Sequence, residues 1–271
     1  MPDPYSCKLI LAYNGTAYNG WQRQISCPSV QQVCEDVLRN LYHQEDLVLS
    51  GCSRTDTGVH ALAQAAFFHS RERIPAGELK EQMNRRLPHD IAVLEAQELP
   101  CPYRLADAVW GKSYVYAVLR APHDLFLKNA CWLWREEISM DRLRNALALF
   151  PGTHDFRGFA GHLTGVTTTV RTLYRAELRE SGPLLCFHFS GCGFLHKMIR
   201  KIMGALYDTV CGTCTEEELR RTLRDPAHPF RGTVAPARGL YLRKIYFSEE
   251  ERLSDAPAEF PPFFGDFPGT R

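Results

Sequence analysis

The stretch SRTDTGVHA, residues 53 to 61, gathers Arg54, Asp56, Gly58 and His60 into one short connection. A carboxylate beside a guanidinium can act as a nucleophile. The same pair can equally be a surface ion pair of small energetic value. The D-x-G spacing predicts a tight turn, with Gly58 supplying the positive φ. Asp56 and His60 are four apart and could both ligate a metal, but no third ligand stands nearby in the sequence. Cys211 and Cys214, in CGTC, have metal or redox spacing. They lack the second pair, or the His partners, that a zinc site needs. The bland reading of that pair is two thiols near a helix end.

The elements around SRTDTGVHA must hold it in place. LVLSGC, at 47–52, and the run 62–69 read as strands on either side. Before them, 7–13 is a strand. A helix begins at SVQQ, with Ser29 as N-cap and Gln32 as its capping-box partner. Its apolar residues at 30, 33, 37, 38 and 41 make one buried stripe. A short helix follows with Leu79, Met83 and Leu87 on one face, stopped by Pro88, and then a strand at 91–98. The order is β-α-β-β-α-β.

The order starts again after residue 111. KSYVYAVL is a strand, and 140–150 is a helix with Leu143, Ala146, Leu147 and Phe150 inward. TTVRTLYRAEL and LLCFHFS form a strand pair joined through RESGP. A longer helix is expected over 194–210, another is capped by Thr215 and Glu218, and GLYLRKIYF closes the chain as a strand. Each half fits the split β-α-β, or ferredoxin-like, unit. The expected fold class is α+β: two such halves forming one extended, mainly antiparallel sheet with helices on one face and a central cleft. The expected domains are 1–103, 104–248 and an acidic tail, 249–271, rich in Pro and Phe and read as disordered or loosely docked.

Composition narrows the function classes. Of 271 residues, 45% are apolar, enough for a sizeable core, and no apolar run is long enough to span a membrane. MPDPYSCKLI lacks the basic-then-apolar pattern of a secretory signal. The ten cysteines are scattered rather than framed, which points to a reducing, cytoplasmic setting. The net charge of +1 hides a gradient. Residues 111–248 carry 20 basic against 12 acidic residues, residues 1–110 carry 10 against 13, and the tail carries 2 against 6. The basic middle suits a polyanion, and a well-solvated surface is the competing reading.

SRTDTGVHA closely resembles the R-T-D-A-G-V-H-A signature of the TruA family of tRNA pseudouridine synthases. YNGTAYNGWQRQ at 13–24 resembles that family's N-terminal segment. SVQ, NRRLPHDIAV, GKSYVY, HDFRGF, GFLHKMIRKIMG and APARGLYL match later family segments in the same order. Together they cover residues 8 to about 247. The resemblance implies two ferredoxin-like halves around a cleft. It also implies conversion of uridine to pseudouridine at positions 38, 39 or 40 in the anticodon stem-loop of tRNA, by base flipping, without cofactor or metal. A homodimer is implied as well.

Roles carry over by position. Asp56 matches the family's catalytic aspartate, which attacks the base at C6 or the sugar at C1′. Arg54 matches the motif's arginine, which grips the RNA backbone. Tyr114 matches the active-site tyrosine that stacks on the base; by itself it is a core residue of an alternating strand. Arg200 matches the basic partner of the aspartate; by itself it is a polar-face helix residue. Leu240 would pack on the base. Lys201, Arg85 and Arg86 are candidate RNA contacts, as is the cluster Arg220, Arg221 and Arg224. Gly20, Trp21 and Gln22 form either a second wall of the cleft or, for Trp21, part of the core. Thr57, Ser53, Asn14 and Lys201 stand where the family has Ala, Gly, Asp and Asn. CPYRLADAVWGKSY is irregular around Arg104, with Trp110 read as an insertion. Two other classes compete: a catalytically silent RNA-binding protein, and a metal-dependent hydrolase using Asp56 and His60.

Overall fold

The computed structural model describes residues 5–100, 109–121, 126–225, 227–256 and 261. In chain order, β1 (Tyr5–Tyr13) leads through a 3-10 turn to α1 (Val30–Tyr42), β2 (Ser50–Gly51), β3 (His60–Ser70), α2 (Ala76–Asn84) and β4 (Ile91–Leu99). Then come β5 (Gly111–Arg120), β6 (Trp132–Trp134), α3 (Met140–Leu147), β7 (Gly152–Asp155), β8 (Val170–Ser181) and β9 (Leu184–Gly191). The helices α4 (Met198–Val210) and α5 (Glu216–Arg224) precede β10 (Leu240–Tyr246) and the short α6 (Glu249–Leu253). The fold is mixed α+β, with strands that are mostly antiparallel.

The chain divides into two compact units. The first holds β1 to β4 together with Tyr241–Leu253; the second is built on Gly111–Leu240. Within the first, β1 lies between β4 and β3, antiparallel to both. The strand β10 joins β3 in parallel, pairing Tyr241 with His60 and Leu242 with Ala61. The strand read from sequence as closing the second repeat is therefore grouped with the first. Residues of β1 alternate: Cys7, Leu9, Leu11 and Tyr13 are buried, while Lys8, Ile10 and Ala12 are half-buried. This is the period-2 signature of a strand with one covered face. Ser29 caps α1 by accepting from the Gln32 amide at 3.3 Å. Cys34 and Leu38 on its inner side are fully buried, each such apolar side chain contributing roughly 1.5–3 kcal/mol.

In the second unit β9 lies between β5 and β8, antiparallel to both, and every one of its residues is buried. The outer edge is β7 on β8, while β6 runs parallel to the end of β5. On α5 the capping box is complete: Thr215 Oγ1 accepts from the Glu218 amide, and Glu218 Oε2 accepts from the Thr215 amide.

Three expectations shift. The strand expected at 47–52 is reduced to Ser50–Gly51, because side chains of α1 take the neighbouring backbone groups. Gln31 Nε2 donates to Leu49 O, Glu35 Oε1 accepts from Leu49 N, and Arg39 Nε donates to Leu47 O. The long helix begins at Met198 rather than 194, since Lys197 sits at φ +59°, outside the helical region. The helix of 140–150 ends at Leu147. Phe150, whose amide donates to Leu147 O in a tighter turn, stays buried as expected. Arg104 and most of the tail lie outside the described residues; Glu249–Leu253 within that tail is helical.

Candidate active site

In the first unit Asp56 stands on the connection between β2 and β3, half-buried, between the exposed residues Arg54 and Thr57. Among the described residues no ion pair joins Arg54 to Asp56. The connection is held by its backbone. The Trp21 amide donates to Thr55 O at 3.1 Å, the Gly58 amide to Tyr18 O at 3.2 Å, and the Val59 amide to Asp56 O at 3.1 Å. Gln64 Nε2 donates to Ser53 O at 2.5 Å, and Tyr13 Oη and Thr55 Oγ1 are 2.8 Å apart. Gly58 takes φ +76°, as the D-x-G turn requires.

The segment behind this loop is YNGTAYNGWQRQ, a role that sequence reasoning did not assign. Gly20 has φ +79°, and a Cβ there would lie 2.2 Å from Thr55 O. Only glycine lets the two segments meet. Trp21 is 1% exposed and stacks on Tyr13 with ring centroids 6.2 Å apart, so it is a core aromatic. Gln31 Oε1 accepts from the Arg23 amide and from Gln22 Nε2. Glu35, 1% exposed, then collects Gln31 Nε2, the Leu49 amide, Arg23 and Arg39. The cradle is thus tied to α1. The signal was in the text: two Asn-Gly pairs beside aromatics, in a stretch with no strand or helix period.

His60 is buried at the start of β3. Its Nδ1 accepts from the Gly15 amide at 3.1 Å, and its ring stacks on Tyr241 with centroids 4.6 Å apart. Those contacts make it a support of the loop. Among the described residues no group of three or more His, Cys, Asp or Glu comes together to hold a metal ion. Cys211 and Cys214 are thiols, not a disulfide, and burial pushes both upward, Cys214 to about 11. Arg85 and Arg86 sit just past α2, exposed. Arg85 pairs with Glu81 at 3.4 Å, and Arg86 Nη1 donates to Gln82 O.

In the second unit Tyr114 is near the start of β5, 6% exposed, opposite Phe189 of β9. Its ring meets Phe194 edge-on, with centroids 5.0 Å apart. Phe194 lies on the loop that leads into α4, so the tyrosine strand and the arginine helix are coupled through this ring pair. On α4, Arg200 Nε donates to Ala235 O at 2.8 Å, while Arg200 O accepts from the Ala235 amide at 2.9 Å. Lys201 Nζ donates to Ala160 O at 2.7 Å. Burial, and then Lys197 nearby, lower its pKa from the usual lysine value. Leu240 is buried at the start of β10. Of the remaining cluster, Arg220 pairs with Glu216 at 4.0 Å, Arg221 contacts His228, and Arg224 is exposed. Trp110 is half exposed, and its amide donates to Tyr246 O at 2.8 Å.

Comparison with known proteins sets this geometry in a class. A family model described as tRNA pseudouridine synthase matches residues 9–103 and 146–248. Tyr114 falls between the matched segments. The chain is 34% identical over 244 residues to tRNA pseudouridine synthase A of Geobacillus kaustophilus, covering 90% of this chain and 95% of that one. It is 33% identical to the protein of the same name from Acetivibrio thermocellus, covering 89% and 98%. A chain in the crystal structure of a Cbf5–Nop10–Gar1 complex aligns at TM-score 0.40 and 12% identity, over 88% of this chain and 52% of that one, too slight a likeness to argue from. The class is therefore an RNA-modifying isomerase, one that makes pseudouridine in tRNA. Within that class, the chain belongs to the tRNA pseudouridine synthase A, or TruA, family. Among the described residues no helix is long and apolar enough to cross a membrane.

Proposed function

We propose that the enzyme isomerises uridine at positions 38, 39 or 40 in the anticodon stem-loop of tRNA, with Asp56 as the nucleophile. The observation that carries this reading is the Asp56 loop. Backbone bonds to Tyr18 and Trp21 fix it, yet the carboxylate is left half-buried rather than sealed in the core. A half-buried acid on a rigid support is what covalent catalysis needs.

In this reading the target nucleotide is drawn out of its stem, at a cost of a few kcal/mol in stacking and pairing. Arg54 grips the backbone and helps hold it out. Tyr114 stacks on the base and Leu240 packs on it. The carboxylate of Asp56 adds at C1′ of the sugar or at C6 of the base. The bond from C1′ to N1 breaks, the uracil turns while held, C1′ bonds to C5, and the bond to Asp56 breaks to return the carboxylate. The C5 proton is lost and N1 takes one up, so the reaction consumes nothing. Arg200 is the cation that partners the carboxylate. Lys201, Arg85 and Arg86 contribute to holding phosphates. The first unit thus brings the nucleophile and part of the RNA grip, and the basic second unit the rest of that grip, in a cytoplasmic homodimer.

The test is to incubate the protein with unmodified tRNA transcripts and map pseudouridine by position. The expected result is product confined to positions 38–40. Asp56→Ala should lose at least about 10³-fold in single-turnover rate while tRNA binding stays within a few-fold. Turnover near wild type in that variant would refute the nucleophile, and product elsewhere in the tRNA would refute the substrate position.

A further inference from the structure

We propose that Asp208 is a positioning residue for this reaction. Through Thr233 it fixes the segment to which Arg200 is bonded and at whose end Leu240 stands. The inference rests on the reading of Arg200 given above.

Asp208 lies on α4, two turns after Arg200, and is 8% exposed. Among the described residues it makes no ion pair. Its two oxygens go to one residue: Oδ2 accepts from the Thr233 amide at 2.8 Å, and Oδ1 from Thr233 Oγ1 at 2.7 Å. A nearly buried carboxylate without a cation is a costly way to fill space. What it supplies, and an apolar residue would not, is two directed bonds that set both the backbone and the side chain of Thr233. The segment lies hard on α4 at this point, since a Cβ on Gly204 would come 1.7 Å from Thr233 O.

Two residues on, Ala235 closes the two-way bond with Arg200: amide to carbonyl in one direction, Nε to carbonyl in the other. The next carbonyl, of Pro236, accepts from Tyr116 Oη of β5 at 2.7 Å. The segment is thus held at three points before it reaches Leu240. Holding Nε against Ala235 sets the direction in which the rest of the guanidinium projects. If Thr233 drifts, Ala235 drifts with it and the guanidinium is re-aimed. A misplacement of about 1 Å is enough to cost on the order of 10²-fold in rate.

The geometry also separates position from charge. An asparagine at 208 can accept from the Thr233 amide with its oxygen while its NH2 donates to the hydroxyl, so both bonds survive without the charge. The experiment measures single-turnover rate constants, tRNA affinity and thermal midpoints for Asp208→Ala, Asp208→Asn, Thr233→Val, Thr233→Ser and Arg200→Ala. Asp208→Ala is expected to react about 10- to 100-fold more slowly, with affinity within about 3-fold of wild type. Asp208→Asn should keep its rate constant within about 3-fold, because the bonds remain. Thr233→Val should be slowed and Thr233→Ser should not, which carries the test if Asp208→Ala fails to fold.

A merely structural residue would lower the midpoint and the reactive fraction but leave the rate constant alone. That result for both Asp208→Ala and Thr233→Val, with Arg200→Ala slow, would overturn the inference and spare the reading of Arg200. Equal slowing in Asp208→Asn and Asp208→Ala would overturn it in favour of charge. Arg200→Ala at the wild-type rate would remove the reading and the inference together.

Discussion

The two units solve the same problem by different means. In the first, the proposed nucleophile sits on a loop, and loops are mobile unless something ties them. Here the ties are backbone to backbone, running from Tyr18 and Trp21 to residues 55–59, and a glycine is required where the two segments meet. In the second, Arg200 sits on a helix whose own ladder fixes its Cα. What remains to be fixed is a long side chain, and side-chain and backbone bonds from a separate segment do it. A loop site therefore depends on which residues are absent, and a helix site on which are present. The first breaks when a methyl group is added, the second when a polar atom is removed.

The largest effect should follow from the smallest addition. Gly20→Ala places a Cβ against Thr55 O in a backbone conformation that disfavours any side chain. It is expected to cost at least about 10²-fold in single-turnover rate. Wild-type kinetics in that variant would mean that the loop can shift without consequence, and the comparison would lose its first half.

Next comes the hub beneath the cradle. Glu35→Ala orphans the Leu49 amide and two arginine contacts in a buried place. Urea unfolding should show a loss of about 2–4 kcal/mol, with much less change in the rate constant of the folded fraction. A loss below about 0.5 kcal/mol would show that the cradle stands without it.

The smallest effect belongs to Lys201, which touches RNA only in the proposed reading. Lys201→Ala should reduce the slope of log affinity against log salt by about 1. The direction of its pKa shift adds a pH test. With its pKa below the ordinary lysine value, the side chain gives up its proton earlier as the solution becomes alkaline. The gap between variant and wild-type slopes should then close at a lower pH than for an ordinary lysine. A gap constant through that range would place the ammonium away from the phosphates.

What the sequence disclosed follows the range of the interactions concerned. The N-cap at Ser29, the capping of α5 by Thr215 and Glu218, and the strand at 7–13 are local, and each appears where it was read. Two short strands, β6 and β7, went unread because three or four residues carry too little period to notice. The shrinking of β2 was hidden for another reason. Whether a strand forms at Leu47–Leu49 depends on Gln31, Glu35 and Arg39, which the preceding helix turns toward it and which no strand pattern at 47–52 reveals. At the site, the D-x-G turn was legible. That Gly20 meets Thr55, and that Arg200 bonds to Ala235, was not, since neither spacing says which segments will touch.

The parallel pairing of β10 with β3 has a bearing on how the protein is made. The N-terminal end of β3 leaves the ribosome well before the strand that covers it, with β4 to β9 made in between. Until β10 is made that edge lacks its native neighbour, a condition that invites pairing with other chains. A fragment stopping after β4 would have the same defect permanently. The unit that carries Asp56 is thus finished only when β10 returns to it, so a product truncated before β10 is not left holding a completed Asp56 unit.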